Sequence, residues 1–164
     1  MLRKLPVRTY FLLPPLRKPS GGMAVIARLA SHLRQAGAPI FFVAPGKVPP
    51  GAQLDPDIPL LPLKTLALER EDRWVVPEGW PALLVPGLQA GCRCAVYVQN
   101  WAFVHGILPE NVAWHDLRPR MFAVSRPVAL FLAETVGVQS PIVRPAIDPR
   151  IFSPASGGGP DLRA

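Results

Sequence analysis

Cysteine is nearly missing from this chain, and the two present, Cys92 and Cys94, stand one residue apart. That excludes a disulfide framework. Residues two apart on a strand share a face, so the pair could meet a metal, but there is no second pair to complete a zinc site. The three histidines, His32, His105 and His115, lie far along the chain. Reduced, half-buried thiols and no metal site are the expectation. Long apolar runs are missing too: none approaches the roughly 20 residues that cross a bilayer. Arg3 and Lys4 open the chain, but Pro6, Arg8, Pro14 and Pro15 interrupt the apolar stretch behind them, and no small-residue cleavage site succeeds it. A signal peptide is therefore not expected, and the expected compartment is the cytoplasm.

Acidic residues are few, 11 against 18 basic ones, for a net charge of +7. The basic residues are scattered, with a mild N-terminal bias (Arg3, Lys4, Arg8, Arg17, Lys18). Such a balance favours phosphorylated ligands or an anionic membrane surface, or it reflects an arginine-rich genome. No aromatic-plus-basic RNA motif, basic recognition helix or zinc-finger spacing is present, so nucleic acid is not an expected partner. No complete G-x-G-x-x-G and no P-loop occur either. Proline, by contrast, is plentiful at 22 residues, which implies short elements and many loops. An apolar content of 49% with positive mean hydropathy excludes a disordered chain, and 164 residues suit one core.

The strongest local signal is Pro19-Ser20-Gly21-Gly22-Met23, between a strand-like run, Val7 to Leu13, and a helical pattern of Met23, Ile26, Ala30 and Leu33. Ser20 suits the N-cap and Gly37 the stop. A strand, a glycine turn and a helix start present free N–H groups to an anion. The plainer alternative is that the glycines serve only a positive φ.

Further strands are expected at Pro39 to Val43, Trp74 to Val76, Ala95 to Val98, Met121 to Val124 and Pro141 to Arg144. Lys47 to Pro62 reads as a long surface connection. Leu63 to Glu71 reads as a short helix, and Pro81 to Gln89 as another, disturbed by Pro86 and Gly87 and ended by Gly91. Ser125 is placed to cap a helix with Pro127 in its first turn and an apolar stripe of Val128, Phe131, Leu132 and Thr135, closed by Gly137. Alternating strands and helices predict an α/β fold: an open, Rossmann-like domain with a mostly parallel sheet and helices on both faces. Ligands of such sheets bind beyond the carboxyl ends of the strands. Ser20-Gly21-Gly22, Glu78, Gln99-Asn100 and Ser125 all fall on that edge.

The order of these segments carries a resemblance. Pro19-Ser20-Gly21-Gly22 with its helix and Ile40 to Val43 comes first. Trp74-Val75-Val76-Pro77-Glu78 and Val96-Tyr97-Val98-Gln99-Asn100-Trp101 come next. Phe122-Ala123-Val124-Ser125, Gly137, Arg144-Pro145-Ala146-Ile147-Asp148 and Phe152-Ser153-Pro154 complete the set. Over residues 7–154 the chain resembles the N-terminal half of GT-B glycosyltransferases, specifically the large retaining group called family 4. The resemblance implies an acceptor-side domain over 1–154, a Gly-rich linker or tail over 155–164, and transfer of a hexose from a nucleotide-sugar to a glycan or lipid-linked acceptor. It implies a phosphate and donor loop at Ser20, Gly21 and Gly22, and a cleft floor at Gln99-Asn100. No metal or other cofactor is expected, with the nucleotide-sugar as co-substrate. The family's donor-binding Glu-x7-Glu region has no counterpart in this chain, so the chain alone is expected not to transfer sugar efficiently. A C-terminal-domain partner chain, a homo-oligomer and peripheral contact with the inner membrane are the expected associations.

No catalytic residue is assigned. His105 is the one candidate, as a cleft base or a donor to the sugar, against the plain reading of a solvated loop histidine. Glu78 either accepts hydrogen bonds from the acceptor or caps the following helix. Trp80 and Trp101 either stack on a sugar face or pack in the core or rim, and Trp101 joins Glu78, Gln99 and Asn100 as an expected acceptor contact. Asp148 ties down the linker. The competing function is a non-catalytic module that binds a glycan, a nucleotide or another protein. A nicotinamide enzyme is disfavoured, because the second strand ends in Val43-Ala44-Pro45 rather than an acidic ribose ligand.

Overall fold

The computed structural model describes residues 7–105 and 108–146. Arg3, Lys4, Asp148, the Phe152-Ser153-Pro154 segment and the 155–164 tail lie outside the described residues. The short apolar runs form strands β1 (Thr9–Leu12), β2 (Ile40–Ala44), β3 (Leu60–Pro62), β4 (Arg73–Pro77), β5 (Arg93–Val98) and β6 (Arg120–Ala123). The helices are α1 (Gly21–Gln35), α2 (Val85–Gln89), α3 (Trp114–Leu117) and α4 (Arg126–Thr135). The strands make one six-stranded sheet in the order β3-β2-β1-β4-β5-β6, with every pairing parallel. The chain lays β2 and β3 on one side of β1, then crosses back to start β4 on the other. That reversal opens a crevice between the carboxyl ends of β1 and β4.

Alternation along the strands supplies two cores. Tyr10, Leu12, Trp74, Val76, Val96 and Val98 point to one face, where Leu84, Trp114, Val128 and Leu132 cover them. Phe11, Leu13, Ile40, Phe42 and Tyr97 point to the other, under Met23, Ile26, Ala27 and Ala30 of α1. The structure is an open α/β sheet of Rossmann-like type with helices on both faces. Among the described residues no helix is long and apolar enough to cross a membrane.

The amino edge of the sheet is held by an ion pair. Asp72, 2% exposed, receives Arg8 Nε and Nη2 at 2.8 and 2.9 Å. The Glu69 N–H also donates to Asp72, at 2.8 Å. Such a bidentate, backbone-supported carboxylate fixes where β4 starts beside β1. Hydrogen bonding to Asp72 strengthens the Arg8 guanidinium's hold on its proton.

Some expectations are corrected. The connection from Lys47 to Pro62 ends in a real strand, β3, hidden in sequence by its brevity and by Pro59 and Pro62, which an edge strand tolerates. Leu63 to Glu71 is not a helix: only Leu63–Thr65 makes a 3-10 turn. Leu66 to Glu69 form no helix and Arg70-Glu71 make a turn, with the Asp72 N–H donating to Glu69 O at 3.0 Å. The chain must return from the carboxyl end of β3 to the amino end of β4, and a helix rises only about 1.5 Å per residue. The expected strand at Pro141 to Arg144 reduces to one bridge, Ile142 with Ala123. Ser125 sits at the N-cap of α4, but its side chain makes no capping bond there. Cys92 and Cys94 are free thiols, the second buried, and burial raises both, Cys94 to about 11.

Gly87 does not merely disturb its helix. A Cβ there would lie 2.6 Å from Trp74 Cγ and 2.9 Å from Cys94 Sγ, so α2 is packed backbone-first on the indole. The Trp74 Nε1–H in turn donates to Leu83 O at 2.7 Å. Gly87→Ala is expected to destabilise the domain by about 1–3 kcal/mol, the range for overpacking a fixed core. Urea unfolding monitored by tryptophan fluorescence checks this, and an unchanged midpoint would contradict the packing.

Candidate functional site

At the carboxyl edge the chain leaves β1 through Pro14-Pro15 and reaches Ser20, whose Oγ accepts from Met23 N at 3.2 Å. This cap starts α1, and its first turn contains no acidic residue. Gly21 and Gly22 are helical, and neither is among the positive-φ glycines, which are Gly37, Gly51, Gly91 and Gly137. The plainer explanation for the glycine pair is therefore corrected. A Cβ at Gly21 would meet nothing within 4 Å, and one at Gly22 would touch the Gln99 amide at 3.4 Å.

Glu78 follows β4 and is 5% exposed. Its Oε1 accepts from the Asn100 N–H at 2.8 Å. It does not cap the following 3-10 turn, Pro81–Leu84, whose N-cap is Trp80 without a side-chain bond. Burial pushes the Glu78 carboxyl above its ordinary value, against the opposing pull of backbone N–H groups at Glu78, Asn100 and Gln99. Beyond β5, Gln99 donates through Nε2 to Gly22 O at 3.2 Å. Asn100 caps a 3-10 turn, Trp101–Phe103, by accepting from Ala102 N at 3.0 Å. Glu78, Gln99 and Asn100 thus lace the ends of β4 and β5 to the first turn of α1.

These groups line one cavity of about 610 Å³. Ser20, Gly22, Glu78, Gln99 and Asn100 meet there, with Trp80 at the wall. Trp101 does not: the residue is 55% exposed, and its ring lies 5.4 Å from that of Phe131. Phe103, unremarked in the sequence, lines the cavity in its place. A turn of three residues per repeat sends positions 101 and 103 in different directions, and only the Asn100 cap sets which one enters. His105 is an exposed loop residue, edge-on to Phe131 at 5.9 Å, and it lines a different cavity of about 270 Å³ with His115 and Thr135. Ser125 lines neither, and the candidate base is thus placed apart from the other site residues. Among the described residues no group of His, Cys, Asp and Glu is placed to hold a metal ion.

The arrangement suits binding. Apolar walls would cover a ligand, a buried carboxylate would accept its hydroxyl protons, and the start of α1 offers backbone N–H groups at the rim. Neither the family models nor the curated proteins give a match to this chain.

Glu78 generates a pH prediction. A folded-state pKa above the usual 4.5 means that the folded protein holds the proton more tightly than the unfolded chain. Stability then falls as pH rises from about 4.5 through the raised value, and Glu78→Gln removes this decline while keeping an acceptor for Asn100. Unfolding of both proteins from about pH 4 to about pH 8 should show the difference moving in favour of the glutamine variant as pH rises. A constant difference would contradict it. Separately, Gly21→Ala should leave thermal stability equal or slightly higher, since alanine suits a helix better and the space is open. A clear drop in melting temperature would place a contact there that the geometry does not contain.

Proposed function

We propose that the chain is the acceptor-side half of a GT-B-type glycosyltransferase resembling retaining family 4. The observation that carries the reading is the meeting of Ser20 and Gly22 at the helix start, Glu78 and Gln99-Asn100 in one cavity at the switch point of the sheet. In the proposed reaction an acceptor hydroxyl displaces a nucleoside diphosphate from the anomeric carbon of a nucleotide-sugar. The new carbon–oxygen bond joins sugar to acceptor, the bond to the diphosphate breaks, and the hydroxyl proton leaves with the departing phosphate or a base. Glu78, Gln99 and Asn100 would orient the acceptor, and the N–H groups of Gly21 and Gly22 would face the diphosphate. Transfer would be metal-independent and would use a donor-binding domain facing this one. A cytoplasmic site of action, peripheral to the inner membrane, belongs to the same proposal.

The second reading, a non-catalytic glycan-binding or interaction module, is favoured by one observation. Oε1 of Glu78 is engaged by Asn100 and His105 lies at another cavity, so among the described residues the lining holds no second titratable side chain for proton transfer.

Release of UDP or GDP from nucleotide-hexoses separates the two readings. The glycosyltransferase reading expects turnover only when the chain is mixed with a donor-binding Rossmann-like domain, encoded for example in a neighbouring reading frame, and expects its loss on Glu78→Ala. A folded chain that supports no turnover with any such domain would leave the binding module.

A further inference from the structure

The same cavity has a chemical bias that the acceptor-side reading leaves open. Its walls are apolar: Leu16, Met23 and Ile26 on the α1 side, with Trp80 and Phe103 lining it as well. Among the described residues its one charged lining residue is Glu78, through its carboxyl, and no described Arg or Lys lines it, although Arg17 and Lys18 stand beside Leu16 in the chain. A phosphate taken past the rim into this space would therefore meet a carboxylate and no described basic side chain. Hydroxyl groups would instead find an acceptor at Glu78 and amides at Gln99 and Asn100. The aromatic side chains are free to cover apolar ligand surface: Phe103 remains 50% exposed. A volume of about 610 Å³ is larger than a single hexose ring fills, which leaves room for an apolar group beside the sugar.

We propose that the cavity takes an uncharged glycoside carrying an apolar aglycone, and that it selects against phosphorylated sugars. The assignment of this ligand as the acceptor rests on the glycosyltransferase reading; its neutral, amphipathic character rests on the lining alone. Any phosphate of a bound donor then lies at the rim, by the Gly21 and Gly22 N–H groups of the helix start, and not against Glu78.

The test is a binding titration on the full chain, followed by nuclear magnetic resonance at the Trp80 indole and the Gly22, Gln99 and Asn100 amides. The probes are octyl β-glucoside below its micelle concentration, methyl β-glucoside, glucose 1-phosphate and UDP. Octyl glucoside should shift these resonances saturably and bind at least about tenfold more tightly than either methyl glucoside or glucose 1-phosphate. Phe103→Ala, at a half-exposed position that the core does not need, should weaken octyl glucoside by about five- to tenfold, the loss expected for part of an aromatic contact. Equal affinity for the methyl and octyl glycosides would overturn the apolar component, and tighter binding of glucose 1-phosphate or UDP at the Trp80 indole and the Gln99 and Asn100 amides would overturn the charge selection. Binding is read without turnover, so these outcomes stand apart from success or failure of the transferase assay.

Discussion

The carboxyl edge of this domain is organised by a single buried carboxylate. Glu78 accepts the Asn100 N–H across the gap between β4 and β5, and the residue before Asn100 reaches on to α1 through Gln99 and the Gly22 carbonyl. A parallel sheet has no hairpins to tie its strand ends together, so each exit loop must be fixed by something else. Here one loop is fixed by a side chain of its neighbour and then fixes the helix beside it. Burial makes the arrangement costly to misplace, since the Glu78 carboxyl has left water and retains its charge only against a desolvation penalty. The cavity is the space these ties leave open.

The two edges divide the labour. At the amino edge Arg8 bridges Asp72 and Glu69, with backbone support for Asp72, and the cluster sets where β4 begins beside β1. Between the edges, apolar strands buried on both faces and the close seat of Gly87 on Trp74 provide the packing. The carboxyl edge carries the polar groups that packing does not use up. The chain returns past β6 through Val143, whose carbonyl accepts from the Tyr97 hydroxyl at 2.7 Å, and the Arg28 guanidinium reaches Ala146 O at 3.3 Å. The exit of the described chain is therefore anchored to the same β5 and α1 that border the cavity.

Much of this is legible in the residues because local and global preferences agree. Val7 to Leu13, Ser20 and Gly37 each favour the β1-turn-α1 unit on independent grounds: an apolar run, a capping hydroxyl and a left-handed stop. Glu78 and Gln99-Asn100 fall on the expected edge because parallel topology sends every strand end the same way. What the residues hide depends on long-range geometry. Leu60 to Pro62 pairs only because β2 leaves an open edge, and proline spacing conceals it. The length of the return path, not propensity, keeps Leu66 to Glu69 out of a helix. Trp101 and Phe103 are indistinguishable until a cap fixes the phase of their turn. The Gly21-Gly22 pair also has a different meaning in three dimensions: open space at a helix start, not a need for positive φ.

If Glu78 holds the edge on which the site is built, its loss must be felt at that edge and nowhere else in the sheet. Hydrogen exchange at individual amides, comparing the natural protein with Glu78→Ala at neutral pH, reads this residue by residue. The Asn100 amide should lose its protection and Gln99 and Ala102 should change with it, while amides of Thr9 and Arg73 at the amino edge keep theirs. An Asn100 amide equally protected in both proteins would show that the edge does not depend on this carboxylate.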